Sequence, residues 1–141
     1  MMDDRLQNPT QALRLAVGLM ATLAGLDKFF NILADWGRYL SPAAAELLPF
    51  SVATFMGLVG VIEVAVGLAI LTALPAIGAY VASAWLLLVA GNLALGGFFD
   101  IAVRDVVLSV GAFALARLLQ VRSGSEVPVA DAQRTRRPST A

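Results

Sequence analysis

The chain has 141 residues, 59% of them hydrophobic and only 14% charged, with a mean hydropathy of +0.80; a soluble domain is about 25% charged and about 45–50% apolar, so this is a membrane protein's composition. Ten basic and ten acidic residues cancel, and the arginines crowd one tail rather than lining a face, which leaves no electrostatic footprint for nucleic acid. Cysteine and histidine are both absent, which excludes thiol redox chemistry, thiolate or imidazole metal sites, iron–sulfur clusters, the usual haem ligation and any Ser-His or Cys-His nucleophile.

Residues 1–10 are polar and hold Pro9, and Asp3 and Asp4 stand where a secretory signal would carry positive charge. The expectation is an uncleaved polar segment before a first helix over about 11–30. Between Arg14 and Asp27 only about twelve uncharged residues run in a row, ~18 Å of helix against a hydrocarbon core of ~30 Å. The segment spans a bilayer only if Arg14 snorkels at one end and Asp27, Lys28, Phe29 and Phe30 enter the slab or its interface at the other.

Residues 31–49 mix interfacial Trp36 and Tyr39 with Asp35, Arg38 and Glu46, and Gly37, Pro42 and Pro49 break long helices. This reads as a loop with a short interfacial helix. Residues 50–74 are long enough to span and carry one charge, Glu63, near the midpoint; 76–99 form a second full span without charge. The connection around Pro75 is short and apolar, so these two form a tight antiparallel hairpin.

The fourth helix, about 100–119, repeats the deficiency of the first. Only about eleven uncharged residues separate Asp105 from Arg117, so Arg104-Asp105 must enter the slab while Arg117 snorkels. Residues 120–141 are polar and rich in Arg, Ser and Pro, which predicts a disordered cytoplasmic tail whose RTRR run is a topology signal. The fold class is all-α, a transmembrane four-helix bundle over 11–119. Four crossings put both termini on the side holding Arg5, Arg14, Arg117, Arg122, Arg134, Arg136 and Arg137, which the positive-inside rule makes cytoplasmic.

Charges in hydrocarbon cost about 2.5–3.5 kcal/mol each, so they should face the interior and pair. Lys28 has Asp105 or Glu63 as prospective partners, and Arg104 has Asp100 or Asp27; Asp100 and Arg104 also stand i, i+4. Arg14, Gly18, Ala21, Gly25 and Lys28 make one ridge at helical spacing. Gly60, Glu63 and Gly67 share a face with Gly57 one turn earlier, and Asp105, Ser109, Ala112 and Ala116 make a small-residue face. Asn92 can reach the same half of the bundle. The candidate polar site is therefore Lys28, Glu63, Asn92, Arg104 and Asp105, supported by Asp27, Asp100, Gly25 and Gly67. It either binds a polar head group, such as a quinone ring or small anion, or satisfies itself and sets helix register. Trp36 and Tyr39 read as interfacial anchors rather than a binding cage.

An Arg-Leu near the start of helix one, Gly18, G-L-D-K at Gly25 to Lys28, Glu63 followed by Gly67, and D-x-x-x-R-D-x-x-L from Asp100 resemble the DoxX family of small four-helix membrane proteins. The resemblance covers about residues 11–118. It implies a multi-pass protein of the bacterial cytoplasmic (inner) membrane, akin to subunits associated with quinol oxidation, thiosulfate:quinone oxidoreduction or oxidative-stress and sulfur-handling complexes. The charged start of helix four matches a subgroup rather than the better-known members, and no catalytic residues carry over.

Two expectations of function follow, with a third behind them. The chain is a subunit or accessory of a quinone- or sulfur-linked redox system, with quinone as the prospective cofactor and a protein partner supplying electrons. Alternatively it is a non-catalytic scaffold or assembly subunit of a larger membrane complex. A small-solute transporter stands third, since neither inverted repeats nor paired broken helices are visible.

Overall fold

In the computed structural model, which describes residues 3–125, all regular structure is helical. The order is α1 (Asp3–Asp27), a 3-10 turn (Trp36–Tyr39), α2 (Pro42–Glu46), α3 (Val52–Leu71), α4 (Pro75–Leu95) and α5 (Phe99–Ser125), with no strand among the described residues. Local chemistry sets several of these boundaries. Ser41 and Ser51 cap α2 and α3, each hydroxyl accepting the N–H three residues on, Ala44 and Thr54, at 3.2 Å. Pro42 and Pro75 occupy first-turn positions, where the missing N–H goes unmissed. Helix α4 ends in a paired cap: Gly97 adopts φ +83°, its N–H reaches Ala94 O at 3.1 Å, and the Phe98 N–H reaches Leu93 O at 2.9 Å. The chain thereby reverses at once and α5 begins at Phe99.

Helix α1 starts at Asp3 rather than near residue 11. Pro9 lies within it, at the seventh position, where its ring forfeits the bond to the carbonyl of Arg5. At its other end α1 stops at Asp27, not 30. The chain continues in turns, with the Phe30 and Asn31 N–H groups on Asp27 O at 3.0 and 2.6 Å, and Asn31 takes φ +52°, which asparagine tolerates. Helix α5 runs through 120–125, which composition had assigned to the tail. Leu119 packs on the core and the Tyr80 hydroxyl donates to Gln120 Oε1 at 2.7 Å, so α4 holds these turns in place. The rest of the tail, with its RTRR run, lies outside the described residues.

Successive long helices pack antiparallel. Between α1 and α3 the contacts pair Gly25 with Gly60 and Gly18 with Gly67. A methyl group on Gly25 would stand 2.7 Å from Gly60 O, and one on Gly60 2.6 Å from Gly25 O, so the backbones touch there. Helices α3 and α4 meet through Gly78 against Ile70, consistent with a connection of only residues 72–74. Between α4 and α5 the buried Ser109 hydroxyl donates to Ser83 O at 2.8 Å, leaving the Ser83 hydroxyl to donate to Ser109 Oγ at 3.0 Å. The core runs through Val17, Ile70, Ala79, Ala82, Ala112, Leu115 and Ala116, so the small-residue face expected on α5 does point inward.

Arg14 reaches across to α3. Its guanidinium donates from Nε to Ile70 O at 2.7 Å and from one terminal nitrogen to Leu71 O and Thr72 O at 2.9 and 3.1 Å. It closes the C-terminal end of α3, whose last carbonyls otherwise lack partners. The outward faces are apolar on every long helix, with Leu15, Leu19 and Leu23 on α1, Leu58 and Val61 on α3, Leu87 and Leu88 on α4, and Val103, Val107 and Val110 on α5 all exposed. Helices α3 and α4 are long and apolar enough to cross a membrane.

Candidate functional site

Helical geometry brings the site together at the end of the long helices that carries the connection of residues 28–51. Lys28 extends the Gly18–Gly25 ridge of α1 by one further step, and close backbone contact at Gly25 and Gly60 sets its ammonium beside α3. There Lys28 Nζ meets Glu63 Oε2 at 2.5 Å, with the two side chains only 5% and 12% exposed. Of the two partners open to Lys28 in the sequence, Glu63 holds it. The second Glu63 oxygen accepts the Trp85 indole N–H at 3.3 Å. Lys28 Nζ also stands 3.8 Å from the centre of a Trp36 ring, so the ammonium is held by a carboxylate on one side and a π-face on another.

Asp27, one residue earlier, turns away from this cluster. Its Oδ1 accepts the N–H groups of Ile32 and Leu33 at 3.0 and 3.1 Å. Its Oδ2 accepts from Leu33, Ala34 and the Trp36 indole at 2.9, 3.3 and 2.8 Å. A carboxylate so occupied is the organising centre of the 31–36 loop, and the expected Asp27–Arg104 pair does not form. Nor is there an Asp100–Arg104 pair: both side chains are exposed, and Arg104 makes no ion pair or hydrogen bond among the described residues. An i, i+4 pair is worth only a few tenths of a kcal/mol, too little to hold two exposed side chains in one geometry.

Asn92 anchors the other end of the connection. Its Nδ2 donates to Tyr39 O at 2.7 Å and its Oδ1 accepts the Ser41 N–H at 2.9 Å. The amide thus satisfies a buried turn of backbone, the complete accounting that buried polar groups require. Between the Asp27 and Asn92 anchors, Trp36 and Tyr39 lie edge-to-face at 6.3 Å, and Tyr39 packs on Phe98 at 5.1 Å. These two rings are walls of the site, not surface anchors.

Under this lid lies a cavity of about 680 Å³, within the ~300–1,000 Å³ usual for small-molecule sites. Lys28, Glu63, Arg104 and Asp105 line it together with Asn92, Trp36, Tyr39 and Trp85. The remaining walls are apolar, among them Met20 of α1, Met56 and Val59 of α3, Leu86 of α4 and Leu108 of α5. All five residues of the candidate site therefore border one space. Of the supporting four, Gly25 and Gly67 act by letting α1 and α3 touch, Asp27 holds the lid loop, and Asp100 stands apart and exposed. Trp85 was not among the candidates. Its signal was available: it and Glu63 are each eleven residues from Leu74 at the hairpin turn, so an antiparallel hairpin places them level.

Chemically the arrangement can seat a molecule with an apolar body and one polar end. No serine or threonine is aligned with a general base, and no three acidic side chains converge as metal ligands among the described residues. Compared with models of known protein families, with curated proteins and with solved structures, the chain matches none.

Proposed function

We propose that the chain is a DoxX-like integral membrane protein that binds a quinone-type head group in this cavity, as a subunit or accessory of a quinone- or sulfur-linked redox system. The observation that carries the proposal is the cavity itself: apolar walls that suit a lipophilic body, with four charged side chains and two indoles among the lining residues. Helices α1 and α5, at 25 and 27 residues, reach ~37 and ~40 Å at 1.5 Å per residue, so they cross a ~30 Å core beside α3 and α4 although each carries charge. On this reading the four long helices form a transmembrane bundle in a bacterial inner membrane. Both termini are cytoplasmic, where the arginines cluster, and the lid of residues 28–51 and the polar end of the cavity lie in the outer half. The exposed apolar faces of all four helices are then lipid-facing. Electrons must come from a partner protein or a soluble substrate, because the chain lacks the residues for an ordinary redox centre.

The test is gentle purification followed by extraction and mass analysis of the co-purifying small molecules. Quinone should be retained by the native chain and lost from Glu63→Gln and Lys28→Met. Full retention in both variants refutes the site.

One observation favours a second reading, a scaffold subunit. The Lys28–Glu63 pair is already closed by Trp36 and Trp85, and a self-satisfied buried pair can serve register alone. A native protein that purifies empty but with a stoichiometric protein partner would select it.

A further inference from the structure

Glu63, central to the site in sequence, has both oxygens committed, one to Lys28 and one to the Trp85 indole. Lys28 is held between Glu63 and the Trp36 ring. Two of the four charged side chains lining the cavity are therefore spent on each other and on tryptophans. Arg104 is exposed. Asp105 is different: it lines the cavity half-buried, near enough to Glu63 and Lys28 to interact with both charges, yet has no hydrogen bond or ion pair among the described residues. This half-buried carboxylate has no protein donor among the described residues, and the cavity it lines is where a donor can come from.

We infer that Asp105 is the acceptor that seats the ligand's polar end, and that the ligand carries a hydrogen-donating head, a hydroxyl or a protonated amine, on an apolar body. In its ionised form a carboxylate can only accept, and in that form it gains nothing from a head offering bare carbonyl or ether oxygens. A donor head gives this half-buried, unpartnered carboxylate a charge-assisted hydrogen bond when it is ionised. The aromatic walls at Trp36, Tyr39 and Trp85 suit either source of the donor: they flank a phenolic or hydroquinone ring by stacking and an ammonium by cation–π attraction. The inference rests on the ligand-cavity reading above and goes further by assigning the contact atom.

Both tryptophans of the chain, Trp36 and Trp85, line the cavity, so indole emission of the full-length protein in mild detergent reports on this one place. Three probes share an apolar body: para-heptylphenol, para-heptylbenzylamine and para-heptylanisole. At least one of the two donors should bind about tenfold or more tighter than the anisole, the usual worth of a hydrogen bond to a charged group. Whichever donor binds tighter identifies the source. Asp105→Leu, which keeps the volume and removes the acceptor, should level the three affinities. Anisole binding as tightly as both donors in the native protein overturns the assignment to Asp105 while leaving the cavity as a ligand site. Silence from all three probes overturns the cavity reading and this inference with it. The native-protein comparison decides even if the leucine variant does not fold.

Discussion

Lys28 Nζ and Glu63 Oε2 meet at 2.5 Å across the α1–α3 contact, and this pair is the one ion pair among the described residues. Its two side chains are nearly out of water, so neither ion can be removed alone without stranding the other.

Lys28→Met or Glu63→Leu alone should therefore destabilise by about 3–5 kcal/mol, whereas the double change should recover most of that loss. Thermal unfolding of the detergent-solubilised protein measures both. A double variant destabilised by the sum of the two single losses would mean that the residues contribute independently, and the pair would not be the unit that sets helix register.

The glycines divide sharply by what faces them. An added methyl at Gly25 or Gly60 meets backbone oxygen, and at Gly67 it meets Thr22 and Gly18 O; at Gly91 and Gly111 it meets nothing within 4 Å. Alanine at the first three should cost about 1–3 kcal/mol by overpacking. At Gly91 and Gly111 it should be neutral or stabilise by up to about 1 kcal/mol through helix propensity. A shared effect of all five on unfolding temperature would contradict the close α1–α3 approach.

Much of this was legible beforehand, for a physical reason. Small residues at helical spacing and charges in an apolar run have few places to go, so the α1 ridge, the α3 face and the inward side of α5 could be read from spacing, as could the hairpin from Pro75. Asp27 was not legible, because its role depends on the loop curling back within six residues after Asn31 takes a left-handed conformation. Arg14 was not, because a snorkelling arginine and one that caps a helix 56 to 58 residues away look alike in sequence. Trp36 and Tyr39 suit an interface by composition, and only the anchors at Asp27 and Asn92 decide that they fold inward.

Arg14 supplies the next prediction. Arg14→Met removes donors to three carbonyls at the end of α3 and should cost about 1.5–3 kcal/mol, since hydrogen bonds to charged groups are worth about that much. Arg14→Lys should restore less than half, because an ammonium lacks the planar fork that reaches several carbonyls together. Hydrogen exchange at residues 70–74 should rise in step. Protection unchanged in Arg14→Met would leave the contact without energetic weight.

The lid should loosen from either end. Asp27→Ala removes the acceptor of the Ile32, Leu33, Ala34 and Trp36 N–H groups. Asn92→Leu removes the bridge to Tyr39 and Ser41. Each should raise hydrogen exchange across residues 32–41 and shift Trp36 emission to longer wavelength, and a Trp85→Phe background isolates that signal. Asp27→Asn, with one oxygen remaining, should be intermediate.

The cavity itself can be closed without touching a charge. Ala21 and Ala24 line it from α1, so a phenylalanine at either position takes up cavity volume. Ala24→Phe should keep the unfolding temperature within a few degrees of the native value, because filling a void adds contacts where none existed. It should abolish retention of a co-purified ligand. The same variant leaves Lys28, Glu63 and Asp105 in place, so loss of ligand would be steric and not electrostatic. Retention of ligand by a folded Ala24→Phe protein would place the binding site somewhere other than this cavity.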